Sequence, residues 1–264
     1  MKLTKIIEKE YEDVSETVAR KLVSPKKDVK LIYEVMPTQS TYAKGVHALR
    51  NSYVGKEAEV PSYLWYECND QKIVRPLTFR ENLQARVDDF ETLKNKDGSI
   101  KTINDRLRLF TISLDSCMGV AYSSKNEDDF MIIPVCRELI TIPKDFRDQY
   151  MQINYANLQG KGISLKRSQV KYNTSLSESE VITHPAWIAS VEGDISLLCT
   201  YASIVFRHLS RGEGKAMGFC LRNEISEDQL RSLFVYNGDN TSIANGNINL
   251  YNYIIFLRAT LPSS

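Results

Sequence analysis

Lys161, Lys166, Arg167 and Lys171 stand in a window from Gln149 to Ser177 that contains no Asp or Glu. Cations placed this way, with Ser164 and Ser168 among them, suit phosphate oxygens. Each ammonium or guanidinium donates charge-assisted hydrogen bonds, and no neighbouring carboxylate repels the anion. Gly160 and Gly162 give the approach to this run a permissive backbone. A second basic group follows at Arg207, Arg211 and Lys215, the last within GEGKAMG. That glycine run is not a phosphate loop of the Walker type, which needs four residues before its Gly-Lys pair and a hydroxyl residue after it. The competing reading of residues 160–171 is an exposed edge strand whose lysines deter edge-to-edge pairing.

The run ISLDSCMG, residues 112–119, sets Asp115 and Cys117 at the end of an apolar stretch before a glycine. It resembles, over about eight residues, the nucleophile motif of caspase-fold cysteine peptidases of the metacaspase type. The resemblance implies a Cys117 thiolate served by a histidine base, for which His47 and His184 are the candidates. The His-Gly pair of that family has no counterpart, since Ala48 follows His47. Free cysteines in strands usually pack in the core, and Cys117 is read first in that way. Glu127, Asp128 and Asp129, with Asp88 and Asp89, offer carboxylate oxygens to a divalent cation, but a solvated hairpin tip explains the first three. Asp148 with Gln169, Val170 and Lys171 is similar to a fragment of a metal-dependent nuclease motif, short enough to arise by chance. With no CxxC and no His pair at metal spacing, neither a metal nor a cofactor is expected.

The bulk properties confine any polyanion contact to such local patches. Across 264 residues, 34 Lys and Arg nearly cancel 33 Asp and Glu, so a net charge of +1 creates no global field. A composition of 42% hydrophobic and 25% charged residues excludes a disordered chain. Cys68, Cys117, Cys136, Cys199 and Cys220 are odd in number and widely spaced, which suits reduced thiols. The opening MKLTKIIEKEYEDV lacks an apolar signal core. The longest apolar run, Ile195 to Phe206, is about a dozen residues where a membrane span needs about twenty. An intracellular, non-secreted protein with no transmembrane segment is expected.

The elements that must hold these groups are read from periodicity. Ile7, Tyr11, Val14, Val18 and Leu22 share one face of an N-terminal docking helix. Strands are expected at DVKLIYEVM and at Val60 to Cys68, and a capping box at Thr78 and Glu81 opens a helix bearing Phe79, Leu83, Val87, Phe90 and Leu93. Arg106 to Pro143 reads as the central hairpin, with a polar tip from Ser123 to Asp129. A short helix after Pro143 carries Phe146, Tyr150 and Ile153, and Ile163 to Ser168 alternate as a strand. Asp194 caps an apolar helix to Leu209. Ser226 and Gln229 suggest a second capping box for a helix through Phe234. An Asn/Gly-rich loop, Asn237 to Asn247, then leads to a last strand at Leu250 to Leu257.

The sequence therefore predicts an α+β fold. Its mixed or antiparallel central sheet carries an N-terminal docking helix and a helical C-terminal portion, divided into 1–176 and 187–264 unless the two form one domain. The expected function is non-catalytic: nucleic-acid (RNA or DNA) binding or self-assembly into a homo-oligomer, in the manner of a viral structural or transport protein. The patch is Lys161, Lys166, Arg167, Lys171, Arg207, Arg211 and Lys215. The alternatives are a cysteine-dependent hydrolase using Cys117 and a protein-binding scaffold.

Overall fold

The computed structural model describes residues 20–21, 32–37, 65–68, 71–74, 77–91, 110, 114–134, 150–210, 214–238, 241–247 and 255–260. Side chains are described for a subset of these, from residue 77 onward. The expected N-terminal docking helix lies outside the described residues except at its end, where Arg20–Lys21 is a strand, β1.

The body is a curled mixed sheet of eleven strands. It contains β1, β2 (Ile32–Pro37), β5 (Leu114–Tyr122), β6 (Asp129–Ile133), β7 (Met151–Gln152), β8 (Ile163–Lys166), β9 (Ser175–Leu176), β10 (Met217–Cys220), β11 (Gln229–Gly238), β12 (Thr241–Asn245) and β13 (Ile255–Thr260). The main path runs β1-β2-β13-β5-β11-β12-β10-β9; β6 and then β8 branch from β5, and β7 pairs with β11. The pairings β13–β5 and β10–β12 are parallel and the others antiparallel. A separate hairpin joins β3 (Trp65–Cys68) to β4 (Gln71–Val74). The described helices are few and short: α1 (Phe79–Glu91), α2 (Glu178–Thr183), α3 (Pro185–Ser190) and α4 (Ile195–Ile204), the last running into a π turn at Val205–Leu209. Among the described residues no helix is long and apolar enough to cross a membrane.

The helical C-terminal portion is thus corrected: beyond residue 214 the described elements are β10, β11, β12 and β13, all in the main sheet. The segment read as a helix from Ser226 through Phe234 is most of β11. Its residues Gln229 to Val235 are all buried, with β5 along one edge and β7, then β12, along the other. The Asn/Gly-rich stretch likewise holds β12. One sheet runs across the expected boundary, since β11 and β13 pair with β5. The tail of the expected helix after Pro143 is the short strand β7, and the crossing expected at Ser175 to Ala186 contains β9 and α2.

Other elements form as their local chemistry dictates. Thr78 and Glu81 close the capping box of α1, with Thr78 N–H donating to Glu81 Oε2 at 2.7 Å and Glu81 N–H to Thr78 Oγ1 at 3.2 Å. Asp194 caps α4 through Leu197 N–H at 3.0 Å and pairs with Arg80 of α1 at 2.6 Å. The β5–β11 register shifts between Ser232 and Phe234, and the Ser116 hydroxyl donates to the Leu233 carbonyl there at 2.5 Å. A side chain so satisfies a backbone acceptor that the ladder skips.

The core lies between the sheet and α1, α3 and α4. Val120, Phe219, Leu233, Val235 and Ala244 from the strands meet Phe79, Leu83, Trp187, Leu198 and Tyr201 from the helices. Tyr201 Oη and Ser242 Oγ, 2.8 Å apart, fix α4 on β12. Strand β12 alternates cleanly: Ser242 and Ala244 are buried while Thr241, Ile243 and Asn245 are half-buried.

Candidate functional site

The basic segment sits on β8, which pairs only with β6 and forms a sheet edge among the described strands. Lys161 and Lys166 are exposed there. Arg167 is not: it is 8% exposed, its guanidinium lying over the rings of both Tyr122 and Tyr172, 5.5 and 5.6 Å from their centroids. Lys171 is exposed but pairs with Glu180 of α2 at 2.5 Å, and that pairing, with the Ser177 capping bonds, holds the Glu180 carboxyl down at about 2. Asp128, on the β5–β6 tip, accepts from the backbone N–H and hydroxyl of Ser168, both at 2.8 Å. These bonds, aided by Lys166 and Arg167, hold its carboxyl below the usual carboxylate range. Of the second group, Arg207 and Lys215 are exposed and Arg211 lies outside the described residues. Lys161 and Lys166 therefore face solvent, Lys166 beside Asp128 and directly across the β6–β8 pair from Asp129.

Cys117 is fully buried within β5, where its backbone N–H bonds to the Leu77 carbonyl at 3.1 Å. His184 is buried as well and is committed to structure. Its Nδ1 accepts from Trp187 N–H at 3.4 Å as the N-cap of α3, which leaves Nε2–H to donate to the Lys171 carbonyl at 2.7 Å. Its ring stacks on Phe219, with centroids 5.7 Å apart. His47 is outside the described residues. Among the described residues no group of three or more His, Cys, Asp or Glu is placed to hold a metal ion.

Burial pushes the His184 pKa below its ordinary 6.5, against the Lys171 carbonyl and Glu180, which raise it. Below about 6.5 the unfolded chain binds a proton that the folded chain refuses, so this site withdraws stability as pH falls from there toward the folded pKa. Protonating Nδ1 also removes the α3 cap and places positive charge at a helix N-terminus. The urea midpoint is expected to drop between pH 7.5 and 5.5. His184→Asn, which retains a capping oxygen, is expected to show a smaller drop; an equal drop in both refutes the assignment to His184.

The sheet offers a second candidate surface. Tyr236 is 44% exposed and lies directly across from half-buried Ile243, with Thr241 and Asn245 on the same face of the β11–β12 pair. The opposite face, with Val235, Ser242 and Ala244, is held in the core. Sequence periodicity missed this surface because it placed Phe234 in a helix and Thr241 to Asn245 in a loop. The available signal was the density of Tyr and Asn from Tyr236 to Tyr253.

No family model and no curated protein matches the chain. A solved structure described as "Accommodation of massive sequence variation in Nanoarchaeota by the C-type lectin fold" is similar to it, with a TM-score of 0.55, 15% sequence identity and coverage of 89% of this chain and 99% of that one. At that identity the likeness speaks for the fold alone. Together with the strands it replaces the expected α+β arrangement with a helical C-terminal portion: the chain is a curled mixed sheet with few helices, similar in fold to that C-type lectin structure.

Proposed function

We propose that the protein is a non-catalytic recognition module that engages its ligand through the outward face of the β11–β12 pair. The carrying observation is Tyr236, exposed opposite Ile243 on strands whose other face is locked into the core. Tyrosine supplies a large amphipathic contact at low conformational-entropy cost, and asparagine and threonine supply adaptable hydrogen bonds. A face held by a rigid core loses little freedom on binding. The similar nanoarchaeal structure is described as accommodating massive sequence variation in this fold, and the separation of an inward structural set from an outward set is the arrangement such tolerance requires.

The protein is to be screened against immobilised proteins and glycans. A ligand of this face is expected to lose at least about tenfold in affinity on Tyr236→Ala, since truncating a central aromatic anchor costs about 2 kcal/mol or more, while the unfolding midpoint stays within about 2 °C of the parent. Binding indifferent to Tyr236→Ala, or a Tyr236→Ala variant as unstable as Val235→Ala, rejects the reading. The second reading, retention of RNA or DNA, rests on the exposure of Lys161 and Lys166 in an acid-free stretch. Including single-stranded RNA in the screen tests it: Lys161→Glu with Lys166→Glu should abolish retention and flatten its salt dependence.

A further inference from the structure

We propose that Arg167 is a binding site for a carboxylate, received edge-on beside Tyr122 and Tyr172. Two buried arginines flank Tyr122 and their surroundings differ. Arg231 is satisfied by neighbours: its Nε–H donates to Gln229 Oε1 at 2.6 Å and a terminal N–H to the Asn247 carbonyl at 3.3 Å. Arg167 has no such partners. Its Nε and Nη2 are buried and make no hydrogen bond among the described residues.

These two nitrogens lie on the same side of the guanidinium, and their N–H bonds run parallel. They form one of the two edges that match both oxygens of a carboxylate. The cation meets the Tyr122 and Tyr172 rings over their π faces, which offer no acceptor to its in-plane donors. Arginine remains protonated in proteins, and a buried charge with idle donors is unstable unless something accepts from it. The enclosing side chains do not supply that acceptor. Burial pushes Tyr122 up to about 12, so its phenol stays neutral, and its hydroxyl is already committed to the Gly246 carbonyl and the Arg222 N–H. Asp128, whose carbonyl accepts from the Arg167 backbone N–H at 2.8 Å, has its carboxylate turned to Ser168. Tyr122 is fully buried and Tyr172 half-buried, so Tyr172 is the wall that can yield to an entering ligand. The site is independent of the recognition face on β11 and β12.

The test is the Nε–H resonance of Arg167 in the intact protein, assigned through contacts of its proton with the two tyrosine rings. Sodium formate and acetate, each against sodium chloride at matched ionic strength, should move it downfield saturably and raise the unfolding midpoint. The rise should vanish in Arg167→Lys, which lacks the paired edge, and persist in Lys166→Gln, which removes a charge beside it. Two peptides, one with a free C-terminal carboxylate and one carrying a single glutamate between blocked ends, separate a protein-borne carboxylate from a small acid. Tighter binding of either peptide than of formate names the former source, and formate alone the latter; both support the site. If Arg167→Lys does not fold, the parent titration decides alone. Formate and acetate behaving like chloride overturns the proposal, as does a response to inorganic phosphate without one to either carboxylate.

Discussion

Trp187→Ala is expected to remove about 3–5 kcal/mol of stability, the usual range for deleting a large buried aromatic. Trp187 is fully buried and makes edge-to-face contacts with Phe79 of α1 and Phe219 of β10, at centroid distances of 5.6 and 6.4 Å. One ring thus fastens α3 to a helix on one side and to the sheet on the other, and its loss leaves a cavity that three elements must collapse to fill. At roughly 2–4 °C per kcal/mol for a large domain, the melting temperature should fall by about 6–20 °C. Trp187→Phe should lose much less, because it keeps an aromatic plug and also discards the indole N–H, which is buried without a partner among the described residues. Urea unfolding should show a lower midpoint with unchanged slope for both variants. Equal losses for Ala and Phe would mean that the indole's size contributes little.

Gly162→Ala is expected to cost about 1–3 kcal/mol, the range for forcing a methyl group into filled space. A Cβ there would lie 2.4 Å from the Ile132 carbonyl oxygen and 3.0 Å from Met131 Cγ. The obstacle is backbone, so β8 has to retreat from β6 over the pairs Ile163–Ile132 and Ser164–Met131. Hydrogen exchange should accelerate at Ser164 to Lys166 far more than in β5 and β11. Gly160→Ala provides the contrast. Nothing lies within 4 Å of its Cβ, but its φ of 80° is left-handed, so the cost there is conformational, about 1–2 kcal/mol, and should leave the β6–β8 ladder intact. If both variants show the same exchange pattern, the steric account of Gly162 fails.

Where structure follows from neighbours in the chain, the sequence was legible. Thr78 and Glu81, and Asp194 ahead of its apolar run, mark helix starts because the satisfied N–H groups are three residues away. The β5–β6 hairpin was legible for the same reason. Strand β11 was not. Leu230, Leu233 and Phe234 fall at helical spacing, and Ser226 and Gln229 at capping-box spacing, but the strand is covered on both faces from Gln229 to Val235 and so lacks there the alternation that identifies a half-exposed one. What decides its state is pairing with β5, more than a hundred residues upstream.

The candidate sites divide in the same way. The exposure of Lys161 and Lys166 agrees with their place in a polar alternating run. The fate of Arg167 depends on Tyr122, and that of Lys171 on Glu180, which stands just beyond the acid-free window and is brought back by α2. Charge counted along the chain treats Arg167 and Lys166 alike; tertiary packing hides one and displays the other.

Strand β2 lies against β13, so Pro37 is matched with Ile255 and Ile32 with Thr260. Beyond β13 comes β5, which meets β13 and β6 along one edge and β11 along the other. A chain made from its N-terminus has β5 paired only with β6, over Gly119 to Tyr122, and leaves its β11 edge and its Leu114–Asp115 end open until β11 and β13 have left the ribosome. Assembly of this sheet therefore waits on strands more than a hundred residues from β5, with a large loop-closure entropy, and is slow by comparison with hairpin formation. The unpaired early strands are the stage at which newly made molecules are most open to aggregation and most in need of a chaperone.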